Sequence, residues 1–167
     1  MFDPSTQKYI TTSYNRNNSS SLSDDFVYDI LKDNEGGLWI TTYFGGINYS
    51  NPNSSNFTIR HCATESARGR IISKFHEDKN GDIFIGTDDG GLFIYNPIKD
   101  KCHRYTIDKS NPNLNIHAIW SNDTYLWIGT YSKGLYRINH KTKYVEHIPY
   151  FEKDGITNES IYSIHED

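Results

Sequence analysis

Residues 72–97 read Ile72-Ser-Lys-Phe-His-Glu-Asp-Lys-Asn-Gly-Asp-Ile-Phe-Ile-Gly-Thr-Asp-Asp-Gly-Gly-Leu-Phe-Ile-Tyr-Asn-Pro97. Short β-branched and aromatic runs alternate with an Asp-Lys-Asn-Gly turn, a Gly-Gly turn and an Asn-Pro stop, which is the pattern of consecutive antiparallel strands. The pattern recurs on both sides. Upstream it spans Phe26–Tyr49, downstream it spans Asn115–Ile138, and Ser160–Asp167 repeats its opening. Ile30, Phe75, Ile119 and Ile164 are spaced 45, 44 and 45 residues apart. Trp39, Phe84 and Trp127 share a column; Thr42, Thr87 and Thr130 follow it, then Gly46, Gly91 and Gly134. The third copy is shorter by one residue in its first turn.

Each copy predicts four strands. The first carries two apolar columns, Val27/Ile72/Ile116/Ile161 and Ile30/Phe75/Ile119/Ile164. A spacing of three places these columns on opposite faces of a strand, so both faces are expected to be buried. The second strand is Leu38–Thr41, Ile83–Gly86 or Leu126–Gly129, and the third is Ile47–Ser50, Leu92–Tyr95 or Leu135–Ile138. The fourth is Phe57–His61, Cys102–Thr106 or Tyr144–Ile148. Helical periodicity is absent, so a helical solenoid is excluded. The fold class is all-β: a β-propeller fragment with three complete four-stranded blades plus partial blades at both ends. The expected boundaries are 1–14 for the end of a preceding blade, then blades at 21–61, 66–106 and 114–148, and 156–167 for the start of a further blade. The chain thus reads as about 3.8 repeats of ~44 residues, a piece of a longer protein whose exposed end blades favour self-association.

Composition agrees with stacked blades. Ala occurs three times and Met once among 167 residues, while Ile occurs twenty times, which excludes an all-α fold. The net charge of −4 is scattered, so nucleic-acid contact by this chain is not expected. No apolar run is long enough for a membrane span, and Met1-Phe2-Asp3-Pro4 does not open a signal peptide. Cys62 and Cys102 lack partners at metal-ligand spacing and are read as two unpaired thiols, a disulfide being open only in an oxidising compartment.

The unit at Ile72–Pro97 closely resembles the two-component regulator propeller repeat. The other copies depart from it modestly: Thr41 stands for the Gly of the Ile-Gly-Thr step and Lys133 for the first Gly of the pair. The resemblance implies a part of the ligand-sensing propeller of a Bacteroides-type hybrid two-component system, reporting extracellular or periplasmic oligosaccharide to a histidine kinase and a transcriptional output. It implies a periplasmic location. The implied partners are an oligosaccharide ligand, the rest of the propeller and downstream Ig-like and kinase modules, with a homodimer also open. Two alternatives stay open from the residues: a fragment of a propeller enzyme (glycan lyase or glycosidase) and a protein-interaction propeller of the WD40 kind, whose Gly-His and Trp-Asp signature is missing.

Catalytic motifs are not found. The histidines form no His-x-x-x-His or His-Glu-x-x-His pair, so no metal site is expected; His61, His103 and His147 fall in or near fourth strands as solvated edge residues. Asp78-Lys-Asn-Gly-Asp82 lacks the span and terminal Glu of an EF-hand. No cofactor is implied. Ligand contacts are expected in the loops joining second and third strands, which cluster on one face of a ring and differ between copies where the flanking columns agree. Tyr43, Phe44 and Tyr131 are candidates to stack on sugar faces. Asp88, Asp89 and Lys133 are candidates to hydrogen-bond hydroxyls or a charged substituent. The competing reading makes them solvated turn residues with aromatics that cover the neighbouring blade.

Overall fold

The computed structural model describes residues 2–9, 11–54, 56–60, 62, 71–148 and 160–166. Three four-stranded antiparallel sheets follow one another along the chain. The first holds β3 (Val27–Lys32), β4 (Leu38–Thr42), β5 (Gly46–Ser50) and β6 (Phe57–Arg60). The second holds β7 (Ile72–Glu77), β8 (Ile83–Thr87), β9 (Leu92–Asn96) and β10 (Lys101–Tyr105). The third holds β11 (Ile116–Ser121), β12 (Tyr125–Thr130), β13 (Leu135–Asn139) and β14 (Val145–Ile148). Within each sheet every strand pairs with its sequence neighbour, the meander of a propeller blade. Ahead of them β1 (Phe2–Asp3) and β2 (Lys8–Tyr9) form a hairpin.

The sheets pack as blades through their first strands, β3 against β7 and β7 against β11. In the middle blade both faces are buried by strict alternation. Ile83, Ile85, Phe93 and Tyr95 join the core shared with Trp39 and Ile47 of the first blade. Phe84 and Leu92 join the core shared with Ile128 and Ile138 of the third.

The first strands depart from the expected alternation. Each has a bulge near its start, between Val27 and Asp29, Ile72 and Lys74, and Ile116 and Ala118. One extra residue restores the face three positions on. The two apolar columns therefore share a face rather than taking opposite ones: Ile116 and Ile119 both approach the position a Gly86 Cβ would occupy. Ile72 and Phe75 likewise join one core. In the first blade, Val27 and Ile30 are exposed.

The conserved-looking columns of the repeat have a local cause. Thr87 donates its hydroxyl to the Gly91 carbonyl at 2.8 Å, and Thr130 does the same to Gly134 at 2.7 Å. Each Thr is buried, and each Gly sits at positive φ, +79° and +68°. The pair closes the loop between second and third strands, and glycine suits the left-handed backbone it needs. Asp residues organise the opposite turns. Asp33 accepts from Gly37 N–H and Trp39 Nε1–H, and Asp78 accepts from the N–H groups of Asn80 and Asp82. These are Asx-type turns with their donors satisfied locally.

The cysteines are joined. Cys62, just past β6, and Cys102, in β10, form a disulfide with Cα atoms 5.3 Å apart. The expectation of two free thiols is thereby corrected. A separation of forty residues hides the pairing, because the two positions meet only when neighbouring blades stack. Of the residues expected to open a further blade, 156–159 and 167 lie outside the described residues, as do His61, which ends the first expected blade, and 66–70 of the second. Residues 160–166 run beside the third blade, where Ile161 N–H donates to Thr130 O at 2.9 Å.

Candidate loop-face ligand site

The loops between second and third strands share an end of the sheets with the starts of the first strands. The N–H groups of Tyr43, Asp88 and Tyr131 donate to the carbonyls of Phe26, Ile71 and Asn115 at 2.9, 3.0 and 2.9 Å. Equivalent backbone therefore presents unlike side chains on a single face.

In the first blade the face is aromatic. Tyr43 lies 4.5 Å from Phe44, edge to face, and 6.1 Å from Tyr28, stacked. With Phe26 and Val27 these rings wall an open recess of about 390 Å³. Phe44 is 77% exposed, although Asp24 anchors its N–H at 3.0 Å. The anchored backbone holds a large ring out into solvent.

Between the second and third blades the face is polar. His117 Nε2 stands 3.1 Å from Asp88 Oδ1, an ion-pair distance without hydrogen-bond alignment. Both side chains are mostly buried. The His117 ring lies 6.0 Å from Tyr131 and 5.3 Å from Tyr162. Ser132 N–H donates to Ser160 Oγ at 3.1 Å, which ties this loop to the segment beside the third blade. Lys133 is held through its carbonyl, 2.8 Å from His147 Nε2, and the His147 ring stacks on Tyr136 at 4.5 Å.

The expected residues thus fall into two groups. Tyr43 and Phe44 meet directly, and Asp88 meets Tyr131 through His117. Asp89 and Lys133 are exposed at the loop tips. His117, Tyr162, Tyr28 and Phe26 escaped the sequence reading. A signal exists for three of them, since the residue after the first apolar column reads Tyr28, Ser73, His117 and Tyr162 and varies as the loops do. Of the expected edge histidines, His103 is exposed on β10 and His147 buttresses the third loop.

A larger crevice, about 490 Å³, opens between the second and third blades at the other end of the sheets. Its walls include Asp78, Asn80 and Asp82, whose polar groups already organise their own turn. A neighbouring crevice of about 240 Å³ lies between the first and second blades. There burial, then a hydrogen bond to Asp100, pushes the Tyr95 hydroxyl up to about 12. Burial also raises the Glu77 carboxyl above its ordinary value. Among the described residues no group of three or more His, Cys, Asp or Glu could hold a metal ion.

Residues 21–44 match the two component regulator propeller family. The structure is similar to an extracellular domain described as that of a hybrid two component system, BT4673 of B. thetaiotaomicron, with TM-score 0.68 and 26% identity over 89% of this chain and 19% of that one. A second such domain, BT3049 of the same organism, matches with TM-score 0.55 and 21% identity over 99% of this chain and 27% of that one. PorZ, a surface component of the type-IX secretion system of Porphyromonas gingivalis, matches with TM-score 0.70 and 14% identity over 99% of this chain and 26% of that one. The latter two likenesses concern the fold alone. The chain spans about a fifth to a quarter of the solved chains it matches. No curated protein matches the sequence. Residues 21–44 thus resemble a two-component regulator propeller repeat, and the chain has an all-β propeller-blade fold.

Proposed function

We propose that this chain is part of the ligand-sensing propeller of a hybrid two-component sensor. It reads extracellular or periplasmic oligosaccharide and passes occupancy to a histidine kinase and a transcriptional output. The supporting observation is the loop face: one repeated backbone, tied by the Thr–Gly closure, carries side chains that change from blade to blade. Tyr43, Phe44 and Tyr131 supply apolar ring faces for sugar C–H edges. Asp88, Asp89 and Lys133 supply hydrogen bonds to hydroxyls or a charged substituent, a mixture suited to a ligand that is both amphipathic and hydroxyl-rich. The same reading makes residues 1–14 the end of a preceding blade and 156–167 the start of a further one. It places the chain in the periplasm, with the rest of the propeller and Ig-like and kinase modules as its partners. Signalling chemistry belongs to those modules, and this chain contributes binding.

The test uses the intact protein that carries these blades. Tyr43→Ala combined with Tyr131→Ala is expected to weaken oligosaccharide binding, measured calorimetrically, about tenfold or more, which corresponds to roughly 1.4 kcal/mol. Ile98→Ala, at an exposed position on the β9–β10 turn, is the control and leaves affinity unchanged. Equal affinity for the double variant and the control overturns the reading.

A further inference from the structure

The disulfide lies where stacked blades hold each other least. The first and second blades meet through β3 on β7 and β4 on β7, the inner strands. Sheets that fan from an axis diverge outward, so their fourth strands share the least packing. Cys62 lies just past the first of those outer strands, and Cys102 lies on the second. Beside them Arg60 Nη1 stands 3.3 Å from Asp100 Oδ1, and the Tyr95 hydroxyl donates to the same oxygen at 2.6 Å. The second interface solves the same problem differently. By strand register, Ile107 occupies the place of Cys62 and Val145 the place of Cys102, and both join the core between the second and third blades. One interface closes its rim with aliphatic packing, and the other closes it with a covalent bond.

We propose that Cys62–Cys102 is a redox-dependent clasp on the first interblade interface, closed only where the chain matures in an oxidising compartment. Closure joins the two sulfurs. The two thiols give up two protons and two electrons to a disulfide-bearing oxidant, which leaves as its dithiol. Reduction reverses the step and frees the outer edge of the first interface while the second, which has no cysteine, stays shut.

The full chain, exported to a bacterial periplasm, supplies the test. Tryptic digestion without reductant should yield peptide 61–68 linked to peptide 102–104 by mass spectrometry. Hydrogen exchange with and without a phosphine reductant should then show β6 and β10 amides exchanging about tenfold faster on reduction, with β13 and β14 unchanged. Reduction should lower the Tm by about 10 °C. The double variant Cys62→Ile, Cys102→Val copies the second interface, and its Tm should not respond to reductant. Free thiols at both positions in the exported chain overturn the proposal. So does reduction that leaves β6 and β10 exchange unaltered, or that loosens both interfaces equally.

Discussion

The interface between the first and second blades and the one between the second and third share a backbone plan and little side-chain chemistry. The first is centred on Trp39, whose ring lies 4.5 Å from Tyr49 and 5.3 Å from Tyr95. Its indole N–H donates to Asp33 Oδ2 at 2.8 Å. The second has Phe84 in that column, surrounded by Ile116, Ile119, Ile128 and Ile138. Volume is exchanged between neighbours. At the column where the first blade carries Thr41, the second carries Gly86, and Ile116 and Ile119 fill the space left bare. A repeat therefore constrains what the backbone needs, the bulge and the Thr–Gly loop. Each interface is free to reach close packing in its own way.

The sharpest break in that comparison is Trp39→Ala. It removes a fully buried side chain and strands Asp33 Oδ2, so a loss of about 3–5 kcal/mol is expected. Denaturant unfolding of the chain with its disulfide intact measures it. The equivalent Phe84→Ala should cost less, because no hydrogen bond goes with the ring. Equal losses would mean that the aromatic centre does not distinguish the two interfaces.

Exchanging Thr41 and Gly86 tests volume compensation with a smaller effect. A Cβ at Gly86 would stand 2.7 Å from Ile116 Cγ2 and 3.1 Å from its Cβ, so Ile116 must give way. Gly86→Thr should destabilise by about 1–3 kcal/mol through overpacking. Ile116→Ala in the same chain should restore part of that loss, a coupling read from a double-mutant cycle. Additive losses would show that the two positions do not share space.

The blades were legible in the sequence because the Trp/Phe, Thr and Gly columns recur with near-constant spacing, and each column serves a backbone need that every copy shares. Three features were not. The bulge inserts a residue that no composition marks, and a spacing of three then reads as opposite faces when Ile116 and Ile119 share one. The Cys62–Cys102 bond depends on how two outer strands converge, which pairing within a blade does not reveal. His117 enters the candidate site from a first strand, whereas the loops alone drew attention. Adjacent residues on that loop also part company: Asp88 lies against His117 and Asp89 is exposed.

The smallest expected effect separates the interfaces by pH. His76, on β7, reaches across the second interface to Ser121 Oγ at 2.7 Å, and the first interface has the Lys74–Asp29 ion pair at 3.2 Å instead. Burial holds the His76 imidazole below its ordinary value of 6.5, with nearby Asp78 partly offsetting it. Between that depressed value and 6.5 the unfolded chain binds a proton that the folded chain refuses. Stability is therefore present at neutral pH and is lost as pH falls. Glu77 works the other way: its raised folded-state value makes the folded chain take up a proton first on acidification. The comparison that isolates the imidazole is wild type against His76→Gln, each unfolded in denaturant at about pH 7.5 and about pH 5.5. The wild-type midpoint should drop more on acidification than that of the glutamine variant, which keeps a polar side chain near Ser121 without the charge. Parallel declines in the two proteins would assign the acid sensitivity to groups other than His76, the His117–Asp88 pair of the same interface among them.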